Sequence, residues 1–383
     1  MVGIDFGTTP TVVAQGDAVL LDIPSPLIDG TPLKRALGKD PLRHVAALRD
    51  FLAGLPRDQA VAVATPACVS PAWRMATVDA FTAAGFTVEK VMSEPAAAAL
   101  EYAGRYAKTL NSKRQKVVVF DLGGGTFDAS RVSLGQGGHV VELTVGDPVL
   151  GGHDFDLVLS ALTGQDVETC RLAKEALVPN SQKVLGIPVE EFYEATRALV
   201  DRAVALTETL WSEDCAGVYV TGGASSLPSV ARALRERFGR RVKRAPNPTA
   251  ATALGLARPE QTPAETVLGV YREWDGGRQV SFDPLLDPTQ TTRTRRYRAA
   301  HNIGHYRWVR AERVDQGRPE GDLQPAGELR VAFDPGLRGA DLTEVPVRPW
   351  AGPEVEERYR VVDGRVHVEV EDLESGYRVS GRL

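Results

Sequence analysis

A chain of 383 residues, 43% hydrophobic and 25% charged, is long enough for two or three domains and can bury an ordinary core. Its net charge of −5 argues against a nucleic-acid partner, because phosphate binding shows as a basic balance. Cys68, Cys170 and Cys215 lie far apart with no CxxC pair, so neither a disulfide framework nor a cysteine metal site is expected.

The chain opens on Met1-Val2-Gly3-Ile4-Asp5-Phe6, a core-strand pattern with no basic and apolar leader before it. No apolar run is long enough to span a bilayer, so a cytoplasmic protein with no membrane partner is expected. Val61–Thr65 reads as a strand, and Ser70-Pro71 supplies an N-cap and first-turn proline for a helix through Phe81 that Gly85 ends. Val117–Phe120 and Val218–Val220 are continuous apolar runs, as strands covered on both faces are, and a helix is expected from about Pro228 to Phe238. Residues 1–257 therefore form one α/β domain. The polar, proline-bearing stretch 258–264 reads as a linker. In 265–383 the helical period disappears: Leu329, Val331 and Phe333 alternate with polar neighbours, as do Val366, Val368 and Val370. Asp363-Gly364 between two such runs is a hairpin signal, so this part is expected to be a small antiparallel β domain.

One chemical pattern occurs twice. Val2–Thr9 is an apolar strand ending in Asp5 and a turn of Gly7, Thr8 and Thr9; Val119–Asp128 repeats it with Asp121, Gly123, Gly124, Gly125 and Thr126. Glycines let backbone N–H groups approach a phosphate, threonine hydroxyls add donors, and an aspartate at each strand end can hold a hydrated magnesium ion. Either loop alone is also what an ordinary tight hairpin looks like; the pair, with aspartate placed identically, points to phosphate. Gly222-Gly223-Ala224-Ser225 precedes a helix, where free N–H groups and the dipole favour an anion, although a plain helix entry has the same composition.

These three loops, in this order, resemble the two phosphate motifs and the adenosine motif of the actin, hexokinase and heat-shock ATPase superfamily. Gly3–Thr9, Asp121–Asp128, Ser93–Leu100, Leu150–Asp156 and Cys170–Lys174 are similar to segments of the DnaK-type, seventy-kilodalton heat-shock chaperones. The resemblance implies an α/β actin-like ATPase of duplicated ribonuclease-H-like lobes, followed by a small antiparallel β sandwich. It implies ATP or ADP with Mg2+ as cofactors. It also implies catalytic roles for Asp5, Lys34, Glu94 and Asp121, with Asp5 and Asp121 holding the metal through water. Nucleotide contacts are implied for Gly7, Thr8, Thr9, Gly123, Gly124, Gly125, Thr126, Gly151, Gly152, Lys174, Gly222, Gly223, Ala224 and Ser225. A solvated helix-start acid is the alternative for Glu94, and a surface lysine the alternative for Lys34.

Departures from the family pattern carry information. Leu20–Pro41 and Asn180–Glu191 stand where the family has much longer outer subdomains; Pro10 and Arg171 replace an asparagine or tyrosine and an acid. No leucine-rich linker or helical lid is recognisable, so a truncated family member is expected. Two functions remain open. One is a slow, Mg-dependent ATPase and stress-response chaperone that binds extended, unfolded polypeptides, with a co-chaperone as a further partner. The other is a nucleotide-binding module with little hydrolysis whose β domain binds a dedicated partner. The resemblance puts a peptide pocket between Trp274–Gly277 and Ile303–Trp308, with core packing the alternative for Trp274 and Trp308. The basic run Thr291–Arg298 reads as a charge-protected edge strand rather than a nucleic-acid site.

Overall fold

A computed structural model of the chain describes every residue except 57–59, 68, 136–137, 259–265, 275–278, 286–290, 344 and 364, and the side chains of Leu42 and Trp274. Contacts divide the chain into two units. One holds Met1–Lys39, Gly54–Cys68 and Met92–Thr262; the other holds Asp40–Ala53, Val69–Val91 and Pro263–Leu383. Apart from Arg258, the expected linker lies outside the described residues. The second unit thus takes two early segments that the sequence reading assigned to 1–257.

In the first unit two sheets repeat one topology. Strand Val2–Phe6 pairs antiparallel with Pro10–Gln15, which pairs antiparallel with Ala18–Pro24; Val61–Thr65 lies parallel on its other side. Strand Lys116–Leu122 pairs antiparallel with Phe127–Gly135, which pairs antiparallel with Gly138–Asp147; Cys215–Thr221 lies parallel on its other side, followed by Val242–Arg244. The repeat read in the loops is therefore a repeat of the fold. Val61–Thr65 and Cys215–Thr221 are buried at every position, as strands covered on both faces must be. Helix Glu94–Tyr106 carries four consecutive alanines whose small side chains let it pack closely. Ala96 and Ala97 meet Ala62, Ala64 and Leu256, while Ala98 and Ala99 meet Val117 and Val119. One helix thereby rests on both sheets, and its first residue is Glu94. The shortened stretches form the two-residue hairpins Leu27–Ile28/Thr31–Pro32 and Lys183–Val184/Ile187–Pro188, each leading into a helix of seven residues.

In the second unit, helix Pro41–Leu52 is capped by Asp40, and helix Pro71–Ala83 by Ser70, whose hydroxyl accepts the Trp73 N–H at 3.2 Å. Strands Gln279–Pro284, Val267–Trp274, Ile303–Asp315 and Arg318–Ala332 form one antiparallel array, in that order. Strands Thr292–Arg298, Glu354–Val362, Arg365–Asp372 and Arg378–Arg382 form another. Val362 pairs with Arg365 and Asp363 takes a positive φ of 49°, while Gly364 of the expected turn lies outside the described residues. Both arrays feed one core that includes Val270, Tyr306, Trp308, Val331, Tyr359 and Val368. Helix Pro71–Ala83 lies on the first array, where Arg74 donates to the Pro319 carbonyl at 3.2 Å and Asp79 accepts from Arg307 at 2.8 Å.

This packing corrects one expectation. Ile303, Tyr306 and Trp308 are at most 5% exposed, and the Trp308 indole N–H points to the Tyr359 hydroxyl at 3.4 Å. They are core residues, so the segment Ile303–Trp308 does not present these side chains to a peptide. Residues 275–278 and the Trp274 side chain lie outside the described residues. Thr292–Arg298 is an edge strand, and Arg293, Arg295, Arg296 and Arg298 are all ion-paired, as a charge-protected edge requires.

Candidate functional site

Asp5 is the penultimate residue of one central strand and Asp121 of the equivalent strand of the repeat, where Asp121 faces Asp128 across the hairpin. Helix Leu33–Lys39 brings in Lys34, and the start of helix Glu94–Tyr106 brings in Glu94. These side chains converge: Lys34 Nζ lies 2.5 Å from Glu94 Oε1, both largely buried. Burial alone would pull the Lys34 ammonium down in pKa, but the charges of Glu94, Asp5 and Asp121 more than offset it and the pKa is raised. Burial lifts Asp5 to about 7, with Lys34 opposing and Glu94 adding to the rise. Burial, then Glu94, Asp128 and Asp5, lift Asp121 to about 8. Asp128 rises to about 6, chiefly by burial and the Glu94 charge, while Lys34 and the Thr126 hydroxyl hold it down. Four carboxylates thus share one ammonium, an arrangement that lacks positive charge.

The loops close around that cluster. Ser25 Oγ donates to the Gly7 carbonyl at 2.8 Å, and the Ser25 N–H donates to the Thr9 carbonyl at 2.7 Å, fixing the turn that also holds the half-buried Thr8. Thr9 Oγ1 occupies the space that a Cβ on Gly124 would need, so the two phosphate-type turns face each other. The N–H groups of Gly152 and His153 donate to the carbonyls of Gly123 and Gly124 at 2.9 and 2.8 Å. At this crossing Gly151 packs directly on the Gly125 backbone, and any side chain there would overlap it. Gly222, at φ 82°, lies against Asp121 and Leu122; the left-handed backbone suits glycine, and a Cβ would strike the Asp121 carboxylate. Gly223 and Ala224 follow in a single 3-10 turn with Ser225, whose hydroxyl donates to the Gly222 carbonyl at 2.6 Å. All the expected site residues accordingly belong to the first unit.

Lys174 is placed beside them but is not free. Its ammonium lies 2.7 Å from Asp156 and donates to the Gly152 carbonyl at 2.7 Å, so it secures the Gly151-Gly152 turn. Arg171 is half-buried and pairs with Glu168 and Glu175 on its own helix. Sequence reasoning passed over Arg35, Ser25 and Asp128. The Arg35 guanidinium donates to the Gly125 carbonyl and so adds a second cation at the glycine-rich turn. Its adjacency to Lys34 was the available signal; Ser25 gave none, because its role depends on a contact across 18 residues.

These residues fit a hydrated divalent cation. Asp5 Oδ1 is buried and finds no hydrogen-bond partner among the described residues, and the carboxylates of Glu94 and Asp121 stand near it. Hard cations take such oxygen donors, and Mg2+ keeps several of its waters.

These raised carboxyl pKa values make stability depend on pH. Such groups bind protons in the folded state that the unfolded chain has already released. Their stabilising contribution is full below the unfolded value near pH 4 and is lost as pH rises through about 6 to 8. In metal-free, nucleotide-free buffer, the denaturant midpoint of the first unit is expected to fall between about pH 5.5 and about pH 8.5, and Asp121→Asn to flatten that fall. A midpoint that holds or rises over this interval contradicts the charge-crowded site.

Two sheets of repeated topology, each presenting an aspartate and a glycine turn to one charged centre, give an α/β protein with an actin-like arrangement. The comparisons agree: the Hsp70 protein family matches residues 53–173. Among curated relatives, a chaperone protein HscA homolog of Variovorax paradoxus (strain S110) is 35% identical over 226 residues, covering 51% of this chain and 36% of that protein. A chaperone protein HscA homolog of Polynucleobacter necessarius subsp. necessarius (strain STIR1) is 33% identical over 247 residues, covering 56% of this chain and 39% of that protein. Over these residues the chain is similar to Hsp70 proteins. It spans well under half the length of these relatives. No described helix is long and apolar enough to cross a membrane.

Proposed function

We propose that the first unit binds ATP with Mg2+ and hydrolyses it slowly, and that the second unit binds extended, unfolded polypeptide segments. The observation that carries the ATPase reading is the cluster of Asp5, Glu94, Asp121 and Asp128 about Lys34, with one aspartate oxygen left unpartnered. A magnesium ion held there would supply positive charge to offset that of the phosphates. This chain's own residues do the remainder. Asp5 and Asp121 hold the metal's waters, and backbone N–H groups of the two glycine turns, with Thr8, Thr9 and Thr126, take phosphate oxygens. Lys34 and Arg35 offset charge that develops on the transferred group. Glu94, fixed by Lys34 and by the helix it opens, orients the attacking water. Little covalent help is needed, because phosphoryl transfer depends mainly on position and charge. Gly222 to Ser225 and Gly151-Gly152 would border the adenosine, with Lys174 acting through the Gly152 turn rather than as a free contact.

The peptide reading rests on the two antiparallel arrays, taken as a substrate-binding-like β sandwich, and on the chaperones to which the chain is similar. Strand addition at an array edge would supply main-chain hydrogen bonds indifferent to sequence. One observation favours the second reading, a nucleotide-binding module with a dedicated partner. Ile303, Tyr306 and Trp308 are in the core, so the expected apolar pocket has no such walls.

Titrating a labelled hydrophobic peptide against the full chain, followed by anisotropy with and without ATP, separates the two. The proposal expects affinity on the order of micromolar, with fast exchange. Absence of binding at high micromolar protein, from a folded sample, leaves the partner-module reading.

A further inference from the structure

The outward face of the second β array is divided electrostatically. On one half every arginine meets a carboxylate. Arg296 pairs with Glu356, and Arg358 pairs with Glu356, with Glu369 at 2.6 Å and with Glu371 at 2.8 Å; Arg378 pairs with Glu371 at 2.8 Å. The other half has no such neutralisation. Register sets Thr292 beside Arg360, Arg360 beside His367, and His367 beside Arg382, giving one row across four strands. Arg365 lies two positions from His367 on the same face. Arg360, Arg365 and Arg382 are exposed, and none has a hydrogen-bond or ion-pair partner among the described residues.

We propose that this row is a docking surface for an acidic, extended segment of a partner protein. The reading is independent of nucleotide binding and of apolar peptide capture. Charge complementarity gives the sign of the partner, and spacing gives its form. Arg360 and Arg382 stand two strands apart, about 10 Å, with Arg365 on the same face, so a chain carrying carboxylates at intervals can meet them in turn. Nucleic acid is the poorer fit. No Phe, Tyr or Trp lies on the outward positions of these strands to stack a base, and the chain is net negative at −5. A flat, unpaired arginine row is also costly to leave so in isolation: like charges in neighbouring strands repel, and a carboxylate-bearing partner removes that repulsion.

The test uses the full chain and anisotropy of three labelled probes: a peptide of alternating Glu and Ser, its Gln-Ser counterpart, and an oligothymidylate of equal charge. The Glu-Ser peptide is expected to bind and the Gln-Ser peptide not. Arg360→Glu with Arg382→Glu should weaken that binding about tenfold or more and remove most of its salt dependence. Arg360→Lys with Arg382→Lys should retain part of it, and Arg240→Glu, at an exposed arginine of the first unit, should change nothing. An unchanged melting temperature shows that the charge-reversed protein is folded. Acidic-peptide binding that is absent in the wild type, or equal in the charge-reversed variant, overturns the proposal. So does oligothymidylate binding at least as tight and equally dependent on Arg360 and Arg382.

Discussion

Asp121→Asn is expected to lower the proposed ATP turnover by a factor on the order of a hundred or more while the protein keeps its fold. The substitution is isosteric, so the packing of Gly222 against this side chain persists. What disappears is one negative charge among four crowded carboxylates, near the end of a central strand. Burial and the neighbouring acids already raise the Asp121 carboxyl to about 8. The ligand-free protein therefore loses little by the change and its stability should hold or rise near neutral pH. The loaded site loses more, because a hydrated cation needs the carboxylate that asparagine cannot supply. Steady-state hydrolysis beside a thermal melt checks both halves. Wild-type turnover from the variant would show that Asp121 has no part in the reaction.

Glu357→Gln is expected to destabilise the second unit by about 3–5 kcal/mol, the cost of leaving a buried charge without its partner. Glu357 is fully buried and takes both arms of Arg272, at 2.5 and 2.7 Å, and the Tyr359 hydroxyl at 2.8 Å. Glutamine keeps an acceptor for Tyr359 but cannot neutralise the guanidinium, and Asp283, 3.3 Å from Arg272, is shared with Arg293 and Arg295. Adding Arg272→Met removes the orphaned charge and should recover most of the loss. Chemical denaturation of wild type, single and double variants measures this. A single-variant loss below about 1 kcal/mol would mean that the pair is not buried as described.

Much of the candidate site was readable before the fold, because its signals are local. A strand, an aspartate and a glycine turn lie within ten residues, and the repeat of that string foretold the repeat of the sheets. Lys34 and Glu94 were also readable, though their 2.5 Å contact joins residues sixty positions apart and only the fold displays it. What failed depended on which side of a strand faces in. Alternation marks Ile303–Trp308 as a strand but does not tell core from groove, and Trp308 went inward. The resemblance sets Lys174 at the nucleotide, and only the fold shows that Asp156, from a preceding helix, pairs with it. The assignment of helix Pro71–Ala83 to the second unit had no local signal. It rests on Arg74 meeting Pro319 and Asp79 meeting Arg307, contacts that close loops of more than two hundred residues.

ATP hydrolysis by the purified full chain, measured at steady state with Mg2+ and again with the metal chelated, tests the central claim most directly. The account predicts slow turnover that needs Mg2+ and falls to background when Lys34 is replaced by alanine. Turnover that is absent with Mg2+, or that proceeds equally after chelation, would contradict it.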